Sequence, residues 1–79
     1  MLLTILSLNK VEYKGEVSGF NVKTTDGEIT VLNGHHPLVT SLEKCTAQIV
    51  LNDNKRTPLE IKSGFLEMGE GNRLNVMID

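Results

Sequence analysis

Apolar and polar residues alternate with a period of two along most of this chain. Phe20 and Val22 fall on one side of such a segment, and Asn21 and Lys23 fall on the other. Successive side chains of a β-strand point to opposite faces of a sheet, so the pattern predicts strands that are buried on one face. The same alternation recurs in three later segments, 47–51, 59–61 and 74–78.

Turn-forming residues separate these segments at short intervals. Asp26-Gly27 and Asn33-Gly34 are the clearest turns, because glycine accepts a positive φ at little cost. Many short strands with a turn about every 8–12 residues predict an all-β fold, a sandwich or a barrel. The best helical candidate is Pro37–Lys44, although its proline could equally begin an extended segment.

Length and charge narrow the possible roles. The chain has 79 residues, which fits one domain, and its formal net charge is −2. Nucleic acid is not an expected partner, because phosphate binding draws on clustered Lys and Arg. No apolar run approaches the ~20 residues that cross a bilayer, so we expect no direct membrane insertion. Met1–Lys10 is interpreted as a first strand and not as a signal peptide.

Few residues are candidates for chemistry. His35 and His36 suggest a metal site, but neighbours on an extended chain point apart and no third ligand has suitable spacing. Cys45 is the single cysteine, and no nucleophile motif flanks it, so it is interpreted as a small buried hydrophobe. We therefore predict no catalytic residue, no metal site and no cofactor.

Asp26 and Glu28 flank Gly27 and are expected in the same region as the histidines. A polar loop tip with fixed charge can contact the basic loops of a partner protein. A charged hairpin without a partner is the alternative interpretation. The residues alone lead to a small all-β interaction domain that is not an enzyme.

Three segments, in order, resemble a known family. Tyr13–Val17 resembles an aromatic-x-Gly-x-Val step, Asp26–Leu38 an acidic turn followed by a G-H-x-P-L run, and Ile61–Glu67 an S-G-G-F strand break. Together they resemble the N-terminal β-sandwich domain of the F-type ATP synthase epsilon subunit. The resemblance covers essentially the whole chain and implies a flattened β-sandwich, or barrel, of roughly ten short strands.

The resemblance also implies a function and a set of contact residues. It implies a non-catalytic rotor subunit in the central stalk, which links the gamma subunit to the polar loops of the membrane c-ring and so couples rotation to ATP synthesis. It places Glu28 and His35 near those loops, with His36 as a further contact, and it implies loop-shaping roles for Gly27, Gly34, Pro37 and Gly64.

This chain departs from the family pattern in three places. The family commonly has a Lys-Pro-Gly turn where residues 43–46 read Glu-Lys-Cys-Thr. Gly64 stands where the family has two glycines, and the C-terminal helical pair of many members is absent from residues 1–79, which we read as one β-sandwich domain. We expect the protein to be peripheral on the cytoplasmic face of a bacterial inner membrane, with an organelle as the alternative. The alternative function is a free-standing β-sandwich module that binds a small ligand or peptide.

A rotor subunit is expected to expose an apolar patch, for which the region of Val11, Tyr13 and Met77 is a candidate.

Overall fold

The computed structural model describes residues 1–79 and confirms the all-β prediction, with nine strands where about ten were expected. No helix of the structure is long and apolar enough to span a bilayer. The strands are β1 (Leu2–Ser7), β2 (Lys10–Glu16), β3 (Gly19–Thr24), β4 (Gly27–Leu32), β5 (Leu38–Leu42), β6 (Cys45–Val50), β7 (Arg56–Ile61), β8 (Gly64–Gly69) and β9 (Arg73–Ile78).

The strands form two layers that meet at one corner. The first, here called the β1 layer, has the order β2-β1-β9-β8-β5, and the second, the β3 layer, has the order β4-β3-β6-β7. All pairs are antiparallel except β1 with β9. The layers join where Thr24 of β3 pairs with Leu42 of β5. This strand order brings the first and last strands side by side in the middle of one layer.

A single core lies between the layers. The alternating apolar residues of the sequence supply it: Phe20 and Val22 are 0% and 1% exposed, while the intervening Asn21 is only partly buried. The β1 layer contributes Leu3, Ile5, Leu66, Met68, Leu74 and Val76, among others. Burying these side chains stabilises the fold by about 25 cal/mol per Å² of apolar surface. The period-two pattern therefore identified the core face of the main strands.

The segment Pro37–Lys44 is a strand and not a helix. Leu38 to Leu42 form β5, which pairs with β8 from Met68 to Gly64. Leu42 is 3% exposed and faces the core, whereas Val39 is 71% exposed. Proline disfavours helical backbone in the residue before it, and the short alternation that follows it suits a strand. Of the two expectations stated for this segment, the extended one is correct.

Candidate partner-contact surfaces

The acidic turn and the histidines lie at opposite ends of β4. Asp26-Gly27 connects β3 to the start of β4, and His35 and His36 follow its last residue, Leu32. At about 3.3 Å per residue, roughly 13 Å separates Glu28 from Leu32 along the strand. The expectation that Glu28 shares one region with the histidines is wrong, because an extended strand separates them.

Both ends nevertheless belong to one free edge. β4 pairs with β3 alone, so its other side is unpaired along its length. Glu28, Thr30 and Leu32 are exposed and alternate with the buried side of the strand. Glu28 accepts a hydrogen bond of 3.1 Å from Nδ2 of Asn21 on the neighbouring strand. A partner that contacts Glu28 and the histidines together therefore has to span the length of β4.

We call residues 33–37 the histidine loop. Its first turn is closed by the backbone N–H of His35, which donates to the carbonyl of Leu32 at 3.1 Å. Gly34 has a φ of 74°, a conformation that glycine adopts without the strain of a side chain. His35 and His36 are both exposed. Nδ1 of His35 lies 2.8 Å from the carbonyl of His36 and must donate, which leaves Nε2 of a neutral ring as an acceptor for a partner.

A residue that the sequence analysis did not single out holds this loop. Asn72, in the turn between β8 and β9, accepts a hydrogen bond from the N–H of Gly34 at 2.8 Å through its Oδ1. Its Nδ2 donates to Oδ1 of Asn33 at 3.2 Å. The α-ammonium of Met1 donates to the same oxygen of Asn33. No local pattern could have revealed this contact, because the partners are 38 and 39 residues apart.

The acidic turn is held locally. Thr24 is 3% exposed and is the one buried polar residue of the protein. Its hydroxyl donates to the carbonyl of Gly27 at 2.7 Å and accepts from the N–H of Asp26 at 3.1 Å. Gly27 has a φ of 119°. The turn next to Glu28 thus depends on the side chain of Thr24, which lies two residues before Asp26 and three before Gly27.

Gly64 allows two backbones to approach closely. A Cβ atom built on Gly64 would lie 2.0 Å from the carbonyl oxygen of Met77 on β9, a contact that no side chain can make. Pairing of Gly64 with Ile78 therefore depends on glycine at this position. Gly64 lies far from the histidine loop, at the end of the molecule where β9 finishes. Its assignment as a loop-shaping residue of the contact site stays a prediction, as do those of Gly27, Gly34 and Pro37.

Exposed apolar side chains form a row across the β1 layer. Leu6 of β1 pairs with Val11 of β2 on one side and with Met77 of β9 on the other, and Met77 pairs with Phe65 of β8. We call these four residues the apolar row; they are 37% to 57% exposed. Directly paired residues share a sheet face, so the four side chains are contiguous.

Tyr13 does not belong to this row. The register shifts between Ile5 and Leu6, and Tyr13 consequently pairs with the fully buried Ile5 and packs against the core. A β-bulge places an extra residue in one strand and changes which face the following side chains occupy. The expected patch of Val11, Tyr13 and Met77 is therefore correct for the two exposed residues and wrong for Tyr13.

A shallow groove continues the row at the end of the molecule. Its volume is about 640 Å³, and Leu6 and Met77 of the row form part of its wall. Leu8, in the turn after β1, is 87% exposed and lines the same groove together with Ile78. The groove and the row together form one apolar surface.

No three His, Cys, Asp or Glu side chains of the protein come together as they would around a metal ion.

The whole chain matches one protein family. Residues 1–79 match the family described as the ATP synthase delta/epsilon chain, beta-sandwich domain. This chain belongs to that family. The prediction made from the three sequence segments is thereby confirmed at the level of the family and of the β-sandwich fold.

Curated relatives of this chain are named as ATP synthase epsilon chains. The chain is 36% identical over 77 residues to an ATP synthase epsilon chain of Clostridium kluyveri and covers 58% of that protein. It is 29% identical over 73 residues to the epsilon chain of Cutibacterium acnes, of which it covers 50%. The chain thus spans 50% to 58% of the length of these relatives, so their activity as whole proteins is not transferred by the match alone.

Two solved structures share the fold. A chain in the Euglena gracilis mitochondrial ATP synthase (OSCP/F1/c-ring) superimposes with a TM-score of 0.90 at 23% identity, over 96% of this chain and 48% of that one. A chain in the Tetrahymena thermophila mitochondrial ATP synthase (central stalk/c-ring) gives a TM-score of 0.84 at 13% identity, over 98% of this chain and 61% of that one. At these identities the likeness establishes the fold.

Proposed function

We propose that this chain is a non-catalytic central-stalk component of an F-type ATP synthase. It links the gamma subunit to the c-ring, so that rotation of the ring is transmitted to the catalytic head. The observation that carries the proposal is the family match along residues 1–79, together with 36% identity to an ATP synthase epsilon chain. The two solved assemblies with chains of this fold are both ATP synthases, which agrees with the proposal.

We assign the gamma contact to the apolar row and its groove. A monomer rarely exposes a continuous apolar surface without a use for it, and the row extends across four adjacent strands. Protein interfaces have an apolar centre within a polar rim, and Thr4, Lys14 and Glu67 occupy the same outer face beyond the row. Gamma is the proposed occupant because it is the stalk partner that the family resemblance implies.

We assign the c-ring contact to the free edge of β4. Glu28 stands at one end, His35 and His36 stand at the other, and all three side chains are exposed. Charged and hydrogen-bonding groups suit the polar loops of a ring better than an apolar surface does. In this arrangement the protein is peripheral to the membrane and is held there by its partners, on the cytoplasmic face of a bacterial inner membrane in our proposal.

The test is assembly with purified partners. The gamma subunit and the c-ring encoded by the same genome are mixed with this chain, and size-exclusion chromatography measures co-elution. We expect an equimolar complex with gamma, which the paired substitutions Val11→Glu and Phe65→Glu abolish. The control Leu32→Glu charges a 55% exposed leucine of the other layer and is expected to leave gamma binding unchanged.

Failure to bind a well-folded gamma would contradict the stalk assignment. The alternative, a free-standing module for a small ligand or peptide, then predicts a ligand in the apolar groove. Its open shape and its wall of Leu6, Leu8, Met77 and Ile78 favour an apolar ligand. Binding of an apolar peptide library, lost on Leu8→Ser, would support that alternative.

A further inference from the structure

We propose that Asn72 is the positioning residue of the histidine loop and that it also protects the Asn33-Gly34 peptide from deamidation. The loop itself has no strand pairing, since residues 33–37 lie between β4 and β5. All the hydrogen bonds that tie it to distant parts of the chain involve Asn33 or Gly34. Asn72 takes part in two of them, one as acceptor and one as donor.

Asn72 is well held for this task. Its backbone has a φ of 59°, in the left-handed region that asparagine tolerates better than most residues. Its carbonyl accepts the N–H of Leu2 at 3.0 Å, which ties the β8–β9 turn to the start of β1. The side-chain amide thus projects from a fixed backbone. Its two hydrogen bonds, to the N–H of Gly34 and to Oδ1 of Asn33, hold the Asn33-Gly34 peptide in one orientation.

The same contact bears on the chemistry of the Asn-Gly sequence. In deamidation, the backbone nitrogen of Gly34 loses its proton and attacks Cγ of Asn33. The bond to the side-chain nitrogen breaks, ammonia leaves, and a cyclic imide forms. Solvent water then opens the ring to aspartate or isoaspartate. Because the N–H of Gly34 donates to Asn72 at 2.8 Å, this bond has to break before the nitrogen can attack.

Isoaspartate would extend the loop backbone by one carbon and move the histidines. Asn33 and Gly34 are both exposed, so water has free access to the peptide. Protection by Asn72 would therefore keep the loop in one form over the life of the protein. The importance of that form for ring binding rests on the proposed function, whereas the loop geometry and its chemistry do not.

The test compares two asparagine-to-glycine variants. Asn72→Gly removes the side-chain amide and keeps a residue that accepts positive φ. Asn54→Gly is the matched control, because Asn54 has a φ of 70° in the β6–β7 turn and its hydrogen bond, to the carbonyl of Leu51, is made by its backbone N–H. Amide hydrogen exchange at Gly34 is read by NMR, and deamidation of Asn33 is read by peptide mass spectrometry after incubation at mildly alkaline pH.

We expect Asn72→Gly to speed exchange at Gly34 by roughly 3- to 10-fold, the effect of losing one hydrogen bond, and to speed deamidation of Asn33 several-fold. Asn72→Asp retains an acceptor for the N–H of Gly34 but loses the donor to Oδ1 of Asn33, so it is expected to restore part of the protection at Gly34. Equal rates in Asn72→Gly, Asn54→Gly and the unchanged protein would overturn the proposal.

The unchanged protein provides a test that no folding defect can obscure. Gly71 lies in the same β8–β9 turn, and its N–H has no hydrogen-bond partner. The amide of Gly34 must exchange more slowly than that of Gly71; equal exchange would refute the proposal. A loosened loop with unchanged c-ring binding would count against the proposed ring contact and leave the role of Asn72 intact.

Discussion

The apolar row and the free edge of β4 are built in different ways. Strand pairing places the row: each of four adjacent strands contributes one exposed apolar side chain at the same level of the β1 layer. The β4 edge instead carries its polar groups in or beside two turns, which side-chain hydrogen bonds hold in place. Surfaces made by pairing change only when the sheet changes, whereas surfaces made by turns can change one hydrogen bond at a time.

This difference predicts different responses to perturbation. A partner on the row gains from burying apolar surface, which salt does not weaken. A partner on the β4 edge gains from exposed charges such as Glu28. Salt screens these charges, with a Debye length of about 10 Å at 0.1 M. Substitutions can therefore separate the two surfaces, and the four below are ordered by the size of the expected effect.

The largest effect is expected where the row depends on close approach of two strands. Gly64→Ala would place a Cβ atom 2.0 Å from the carbonyl oxygen of Met77, so β8 and β9 must separate at this end. We expect a loss of about 3 kcal/mol or more of unfolding free energy, as for other changes that force backbone strain. For a domain of this size that lowers the melting temperature by about 12–24 °C, measured by circular dichroism.

Gly69→Ala is the matched control for that measurement. Gly69 lies in the same strand, and a Cβ atom built there meets nothing within 4 Å. Its melting temperature is expected to change by a few degrees at most, since the backbone there suits alanine. A Gly64→Ala protein as stable as Gly69→Ala would show that the sheet yields easily and that pairing does not fix the row.

The second effect concerns binding to gamma. Val11→Glu and Phe65→Glu place charges at side chains that are 57% and 46% exposed, so folding is expected to change by less than about 1 kcal/mol. Placing charge in the apolar centre of an interface is expected to weaken gamma binding by at least about 100-fold, or roughly 2.7 kcal/mol. Isothermal titration calorimetry measures it, with c-ring binding as the internal control. Equal loss of both partners would indicate one shared surface.

Much of the fold could be predicted because its causes are local. Alternation of apolar residues identified the buried face of strands such as β3 and β9, and Asp26-Gly27 marked a real hairpin. The acidic turn belongs to this class, since Thr24 acts within three residues. The hairpin and the acidic turn contain all of their interacting groups within a short window of sequence, and the buried face of a strand is visible in the alternation of its own residues.

The other features of the fold and the site depend on contacts between residues that are far apart in the sequence. Asn72 meets Asn33 across 39 residues, and the pairing of β1 with β9 makes that meeting possible. A register shift after Ile5 turns Tyr13 toward the core, although the residues around Tyr13 predict no β-bulge. The sequence also predicts Glu28 in the same region as the histidines, because the two motifs are close along the chain, whereas in the structure β4 separates them. Pairing and register decide these features, and both are properties of the whole sheet.

The third effect sharpens the contrast between local and distant support. Thr24→Val replaces the buried hydroxyl by a methyl group of similar shape and leaves the N–H of Asp26 and the carbonyl of Gly27 without that partner. We expect a loss of about 1–2 kcal/mol, read by urea unfolding, and Thr24→Ser is expected to recover most of it. Faster amide exchange is expected at Asp26 and not at Gly34. Equal loosening of both turns would mean that they form one unit.

The smallest effect tests whether the c-ring contact runs along β4. Glu28→Ala and His35→Ala are each expected to weaken ring binding by about 0.5–1.5 kcal/mol, since exposed polar contacts contribute modestly. The two sites lie at opposite ends of the strand, so the double variant is expected to lose the sum of the single losses within about 0.5 kcal/mol. Surface plasmon resonance on immobilised c-ring, at two salt concentrations, measures all three. A coupling above about 1 kcal/mol would require Glu28 and His35 to meet the same group of the ring, which an extended β4 does not allow.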